Sequence, residues 1–238
     1  MIYIRKPFDI YQAKGKIQNG TFSGRWHFSF GEYRDPEYTY FGTLRVFNDD
    51  TFSPSASLPL HPHREIEIVT YCVEGEFRHE DAHGKGGILR KGCVHHATVG
   101  KGLSHSEINN LQDKPIRFIQ MWFFPSEPGH EPASGQKCVD LSERTNRLFP
   151  LVSNDHPEAL PIHSDAQVYS CFLQEGHKIS YVVKQGWGVY VYAIEGGSIL
   201  VNGHRVMPFG AAKILDEMDL DIKAEDDSEF LFVEVLLI

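Results

Sequence analysis

The sequence predicts an all-β protein made of two antiparallel β-barrel domains. Short strand-like runs are broken by Gly turns such as Glu74-Gly75 and Lys91-Gly92, and helical periodicity is almost absent, a pattern typical of sandwiches and barrels. A short internal repeat indicates duplication, because YCVEG at Tyr71–Gly75 returns as YAIEG at Tyr192–Gly196. Each copy follows a run of β-branched and aromatic residues, so we expect two related barrels.

The first barrel is predicted to span residues 1–125. Turns are expected at Asn19-Gly20 and at Asp49-Asp50. The run Ile116–Phe124 is apolar on both faces, so it should be covered by the barrel interior on one side and by the second domain on the other. A set of aromatic residues either packs this barrel or walls a ligand cavity, and the sequence leaves both open: Trp26, Phe28, Phe30, Tyr38, Tyr40 and Phe41.

Residues 126–139 are predicted to be a linker, because the segment 125–135 is rich in Pro, Gly and Ser. The second barrel should then span residues 140–238. Asp140 is placed to cap a short helix, and Asn202-Gly203 is a two-residue hairpin signal. Aligning the repeats puts Val182 opposite His61 and Lys184 opposite His63, so we expect the second barrel to lack the histidines discussed next.

Two short motifs predict a metal site in the first barrel. His61-Pro62-His63 begins a strand-like run, and His105-Ser106-Glu107 follows a Gly-rich turn. Residues two apart on a strand share a face, and imidazoles with one carboxylate suit a divalent metal that keeps open positions. One HxH motif alone is more often a surface or core feature, and it is the second pair that favours a site.

Composition limits the other function classes. The formal net charge of −9, without a basic patch, argues against direct nucleic-acid binding. The N-terminus has no signal-peptide core and no run reaches the length of a membrane span, so a cytoplasmic protein is expected. Four cysteines lack CxxC spacing and indicate free buried thiols rather than disulfides: Cys72, Cys93, Cys138 and Cys171.

The runs HPHREIEIVTYCVEGEFRHED and GGILRKGCVHHATVGKGLSHSEIN resemble the two motif blocks of the pirin family of cupins. The resemblance implies a bicupin, two jelly-roll barrels packed face to face, with a metal held by His61, His63, His105 and Glu107. Iron is usual there, so Fe(II) is expected first, with Mn, Ni, Co, Cu or Zn as alternatives. The chain ends on the strand-like run 230–238, as in the short bacterial members that cleave flavonols such as quercetin at the 2,3 position with dioxygen.

Several other residues are expected to act near the predicted metal site. Glu107 is the candidate base that accepts the substrate proton. Glu67, by strand parity on the same face as His63, is expected to hydrogen-bond a ligand imidazole or to act as an alternative base. Only one of His95 and His96 can face the cavity, and Cys93 could edge it. The remaining histidines fall mostly near turns and are expected at the surface: His79, His83, His130, His156, His163, His177 and His204.

Three functions are compatible with the sequence. The first is a flavonol dioxygenase, or an oxygenase of a related enol. The second, implied by resemblance to eukaryotic pirins, is a non-catalytic metal-binding regulator that acts through a protein partner. The third is a degenerate cupin with a closed structural zinc site. An open coordination position facing a cavity of flavonol size would favour the enzyme.

Overall fold

A computed structural model describes residues 1–238 and confirms an all-β protein of two barrels. The first twelve strands are β1 (Ile2–Arg5), β2 (Tyr11–Ile17), β3 (Gly20–Trp26), β4 (Leu44–Phe52), β5 (Ser57–His63), β6 (Glu67–Glu74), β7 (Phe77–Asp81), β8 (Gly86–Leu89), β9 (Cys93–Thr98), β10 (Leu103–Asn109), β11 (Ile116–Phe123) and β12 (Ala133–Cys138). The remaining strands are β13 (Phe149–Ser153), β14 (Ala166–Leu173), β15 (Lys178–Val182), β16 (Trp187–Gly196), β17 (Ile199–Val201), β18 (His204–Val206), β19 (Ala211–Ile214), β20 (Asp219–Ala224) and β21 (Ser228–Leu236). Three short 3-10 helices span Pro7–Asp9, Pro36–Tyr38 and Leu141–Arg144, and none of the helices is long and apolar enough to cross a membrane.

Each barrel consists of a large sheet and a four-stranded sheet. In the first barrel, the order β12-β9-β6-β11-β4-β3-β2 faces the order β5-β10-β7-β8. In the second barrel, β1-β19-β16-β21-β14-β13 faces β15-β20-β17-β18. The repeated segments Tyr71–Gly75 and Tyr192–Gly196 end the equivalent strands β6 and β16, and Gly75 and Gly196 both adopt positive φ, at 82° and 89°.

The two large sheets pack against each other and form the main hydrophobic core. Strand β11 shows why, because its side chains alternate between two apolar environments. Ile119, Met121 and Phe123 point into the core between the domains, whereas Ile116 and Phe118 point into the first barrel. The double cover predicted for this strand is therefore confirmed.

The segment boundaries differ from the sequence prediction at both ends of the first barrel. Strand β1 leaves its own barrel and pairs with β19, with Ile2 opposite Ile214. The segment expected to be a linker contains β12, which pairs with β9 and extends the first barrel. Most of β12 is exposed at this sheet edge, so its polar composition resembles a linker although its backbone is paired.

Local turn signals were mostly correct. Asn19 and Asn202 adopt positive φ, at 61° and 45°, in the hairpins that they were expected to form. Asp140 precedes the 3-10 helix Leu141–Arg144, where the Asp140 amide donates to Glu143 at 2.8 Å. The predicted turn at Asp49-Asp50 is wrong, since both residues lie inside β4.

The cysteine prediction is also wrong in part. Cys93 on β9 lies directly opposite Cys138 on β12, and the two form a disulfide. Cys93 is thus part of the barrel core rather than the edge of a ligand cavity. Cys72 and Cys171 are free and buried, as expected.

Candidate metal centre

The pairing of β5 with β10 brings the two metal motifs together. His105 lies directly opposite His61, and Leu103 lies opposite His63. Alternation along each strand then turns the three imidazoles toward one point. Their potential ligand nitrogens all lie within 4.8 Å of one another, and this is the one cluster of three or more potential metal ligands in the chain.

The nitrogens of this cluster are free to bind an ion. The Nδ1–H of His61 donates to the Pro59 carbonyl at 2.8 Å, which leaves its Nε2 lone pair available. The Nε2 atoms of His63 and His105 are buried without a hydrogen-bond partner. Burial, with a smaller effect from the His61 charge, lowers the pKa of His63 to about 4 and that of His105 to about 3. Both rings are therefore neutral at neutral pH, which is the form that coordinates a metal.

Glu107 adds a buried carboxylate beside the histidines. Its Oε1 lies 4.0 Å from His105 Nε2 and accepts a hydrogen bond from the Gln120 side chain. Burial raises the pKa of Glu107, against smaller lowering effects of His61 and Gln120. Three imidazoles and one carboxylate fit a divalent first-row ion, so the residues present suit the metal that the motifs predict.

The cluster opens into an apolar cavity of about 350 Å³, within the range of small-molecule sites. His61, His63 and Glu107 line one side of it. The other walls are mainly aromatic and aliphatic, and they are formed by Ile17, Phe22, Trp26, Phe30, Phe52, Leu58, Phe118 and Trp122. Trp26 and Phe30 therefore line a cavity. The sequence left open whether these two residues pack the barrel or line a ligand site, and the structure favours the second. Val182, which the repeat alignment puts opposite His61, is exposed at the end of β15.

Comparison with known families agrees with this geometry. The family model described as Pirin matches residues 10–123. A second one, described as the quercetinase C-terminal cupin domain, matches residues 151–235. The chain belongs to the pirin family of cupin proteins.

Related proteins match this pirin over nearly its whole length. A Pseudomonas aeruginosa protein provisionally named quercetin 2,3-dioxygenase is 39% identical over 97% of this chain and 98% of its own. A quercetin 2,3-dioxygenase of Escherichia coli is 29% identical over 99% of both chains. The crystal structure of a bacterial pirin from Escherichia coli in complex with nickel(II) superposes with a TM-score of 0.92, at 28% identity over the whole of both chains.

Glu67 does not have the position in this pirin that strand parity predicted. Strand β5 ends at His63, and β6 begins only at Glu67, after a bend in which Glu65 has a φ of 50°. Glu67 therefore shares its face with Val69 and Tyr71, which point toward the second domain. Its carboxylate accepts hydrogen bonds from His96 Nε2 at 2.7 Å and Thr98 Oγ1 at 3.0 Å. Glu67 contacts no predicted ligand, so neither role expected for it is supported.

His95 and His96 point to opposite sides of β9, as alternation requires. His96 faces the domain interface with Glu67. His95 points into the barrel but lines a separate polar pocket of about 210 Å³, which lies on the other side of His105. There its ring packs on His79 with the centroids 3.9 Å apart. His79 was expected at the surface, but it is only 8% exposed and its Nε2 bonds Gln136 at 3.1 Å.

The sequence analysis missed three polar residues of the apolar cavity. Asn48 and Asp50 come from β4, and Gln120 comes from the neighbouring β11, directly opposite Asn48. Gln120 donates to Glu107 and accepts from Trp122 Nε1 at 3.1 Å, which connects the carboxylate to the cavity wall. The available signal was the alternation of β4, in which Asn48 and Asp50 share a face.

Proposed function

We propose that this pirin is a metal-dependent dioxygenase that cleaves flavonols such as quercetin at the 2,3 position. The observation that carries the proposal is the location of the histidine cluster, which with Glu107 borders an aromatic-walled cavity from which a substrate could reach the ion. Structural zinc sites are closed and tetrahedral, whereas catalytic sites keep an open position. The names of the relatives in Pseudomonas and Escherichia coli support the same reaction.

The cavity suits a flat aromatic substrate. Phe30 contacts Trp26 and Trp122 edge to face, with centroids 5.0 Å and 5.2 Å apart, and Trp122 also packs on His63 at 4.9 Å. These rigid rings would hold a planar flavonol by burial and stacking and would exclude water from its reactive ring.

The ion would be held by His61, His63 and His105, with Glu107 as the expected fourth ligand. When bound, it would supply Lewis acidity that lowers the pKa of the substrate enol hydroxyl. We propose a divalent first-row ion: the family resemblance implies iron, and the Escherichia coli pirin structure contains nickel(II).

Glu107 would accept the proton of the substrate hydroxyl. Its carboxylate lies at the cavity wall, next to the cluster that would hold the ion, so it is within reach of a substrate hydroxyl bound there. The hydrogen bond from Gln120 fixes the carboxylate while it does so. His61, His63 and His105 serve only as ligands.

The test combines metal analysis with turnover on one sample. The purified protein, loaded in turn with iron, manganese, nickel and cobalt, is mixed with quercetin while oxygen uptake and loss of the flavonol absorbance are followed. We expect stoichiometric metal and oxygen-dependent bleaching. The His63→Ala variant should lose both, because one of the three nitrogens is gone. Stoichiometric metal without bleaching under all four metals would contradict the proposal and favour the regulator.

A further inference from the structure

The cavity wall carries two polar groups whose hydrogen-bonding capacity is unused. Asn48 is 1% exposed, lines the cavity, and its Oδ1 has no hydrogen-bond partner. An unpaired buried amide oxygen costs free energy comparable to a lost hydrogen bond. Its neighbours across the sheet are Trp26 and Gln120, and both of these already have partners.

Asp50 lies two residues further along β4, on the same face of the strand. Trp26 Nε1 donates to its Oδ1 at 3.0 Å, and its Oδ2 makes no hydrogen bond. The carboxyl fits here because the residue opposite is Gly24, where a Cβ would approach Oδ1 to 1.8 Å. Burial raises the pKa of Asp50 to about 8, although the Trp26 hydrogen bond opposes the shift. The carboxyl is therefore protonated at neutral pH and has an O–H to donate.

An unpaired acceptor and an unpaired donor thus occupy neighbouring positions of an otherwise apolar wall. A phenolic hydroxyl is complementary to both, because it donates through its hydrogen and accepts through its oxygen. The two groups belong to the seven-stranded sheet, whereas His61, His63 and Glu107 belong to the four-stranded sheet on the other side of the cavity. A ligand between the sheets can therefore reach both sets of groups with different atoms.

We propose that Asn48 and Asp50 form a hydroxyl-recognition subsite, which selects substrates that carry a phenolic hydroxyl in addition to the enol and ketone oxygens that meet the metal. This inference rests on the proposed function and specifies its substrate class as polyhydroxylated aromatic enols. A site that hydrogen-bonds a substrate hydroxyl discriminates strongly against an analogue without it, since its own buried groups are then left unpaired.

The experiment is an anaerobic binding titration of the metal-loaded protein, so that no turnover occurs. Quercetin, with four phenolic hydroxyls besides its enol, is compared with 3-hydroxyflavone, which has the enol and ketone oxygens and no other hydroxyl. Trp26 and Trp122 line the cavity, so quenching of tryptophan fluorescence gives both dissociation constants. We expect quercetin to bind wild type about tenfold or more tightly than 3-hydroxyflavone, as one or two buried hydrogen bonds provide.

Variants test whether Asn48 and Asp50 cause the preference for quercetin. Asn48→Leu and Asp50→Leu should each weaken the binding of quercetin selectively, because one hydrogen-bond partner is lost. The dissociation constants of the two flavonols should then lie within about threefold of each other. Asp50→Asn keeps a donor and should retain the preference. Phe22→Leu changes only the apolar wall and is the matched control. It should weaken the binding of both flavonols equally.

The outcomes separate this inference from the proposed function. Equal binding of quercetin and 3-hydroxyflavone to wild type would overturn the subsite and leave the dioxygenase proposal intact. A preference that survives both leucine variants would also overturn the subsite. If neither flavonol bound the wild-type protein, the proposed function would fail, and the subsite would fail with it.

Discussion

Adjacent carboxylates on β4 have opposite environments because side chains alternate across the sheet. Asp49 points toward the second domain, where Arg117 pairs with it through two contacts of 2.8 Å and 2.7 Å. Asp50 points into the ligand cavity, where only Trp26 donates to it. An aspartate therefore supports domain packing at position 49 and lines a binding site at position 50.

The raised pKa of Asp50 predicts how stability depends on pH. Its ordinary pKa is near 3.9, and in the folded protein it is about 8. Between these values the folded protein keeps a proton that the unfolded chain releases, so this group lowers stability as pH rises from about 4 to about 8. Asp50→Asn cannot ionise, and its melting temperature should rise relative to wild type over this range, with little difference near pH 4. The exposed Asp113→Asn should show no such trend, and parallel curves for Asp50→Asn and wild type would contradict the assignment.

The role of Glu107 can be separated from metal binding. Glu107→Gln keeps the size of the side chain and leaves the three histidines in place, but it removes the proton acceptor. We expect the variant to bind metal and quercetin and to turn over at least about 100-fold more slowly, the usual contribution of a positioned base. Glu80→Gln on the neighbouring strand β7, whose side chain is half-exposed, is the control. Turnover of Glu107→Gln at the parental rate would remove Glu107 from the mechanism.

At the level of the element, β12 is an edge strand attached to the first barrel by the Cys93–Cys138 disulfide. The bond closes a loop of 45 residues, and such a crosslink typically stabilises the folded state by about 2–4 kcal/mol. We expect a reductant to lower the melting temperature of wild type, and Cys138→Ser to match the reduced protein. The reductant should then have no further effect on Cys138→Ser, because Cys72 and Cys171 are free. A melting temperature insensitive to reductant would show that the bond adds no stability.

How far the sequence could predict these elements depended on whether the deciding contact was local. His61 and His63, like His105 and Glu107, are two apart on one strand, so alternation alone aligned each pair correctly. The same reasoning failed for Glu67, because the bend between β5 and β6 interrupts the alternation. The Asp49-Asp50 pair has turn-like composition, and its strand geometry depends on Arg117, which is distant in sequence. The partner of Cys93 likewise depended on the pairing of β12 with β9, which polar composition concealed.

At the level of the whole molecule, the two barrels share a strand and a hydrophobic core. Strand β1 precedes the first barrel in the chain but completes the large sheet of the second. The core between the sheets contains 25 buried residues from both domains. A polar contact joins the same surfaces, since Tyr71 of the first barrel donates to Glu229 of the second at 2.8 Å. We therefore expect the domains to unfold in one cooperative transition.

Asp49 is the position at which this coupling can be tested. Its carboxylate is fully buried and pairs with Arg117, lies 3.6 Å from Arg25, and accepts a hydrogen bond from Tyr192 of the second domain. Phe209, also of the second domain, lies against both guanidinium groups, 4.2 Å and 4.9 Å from their carbons. Asp49→Asn would leave two cations without their buried counter-ion and should lower the free energy of unfolding by about 3–5 kcal/mol.

Denaturant unfolding measures both the loss and the coupling. Tryptophan fluorescence reports mainly on the first barrel through Trp26 and Trp122, whereas far-ultraviolet circular dichroism reports on the whole chain. The two curves should coincide for wild type and for Asp49→Asn, with the variant shifted to lower denaturant, and Asp113→Asn should remain at the wild-type midpoint. If the fluorescence transition of Asp49→Asn moved while a second transition stayed in place, the barrels would unfold separately, and Asp49 would stabilise only the first.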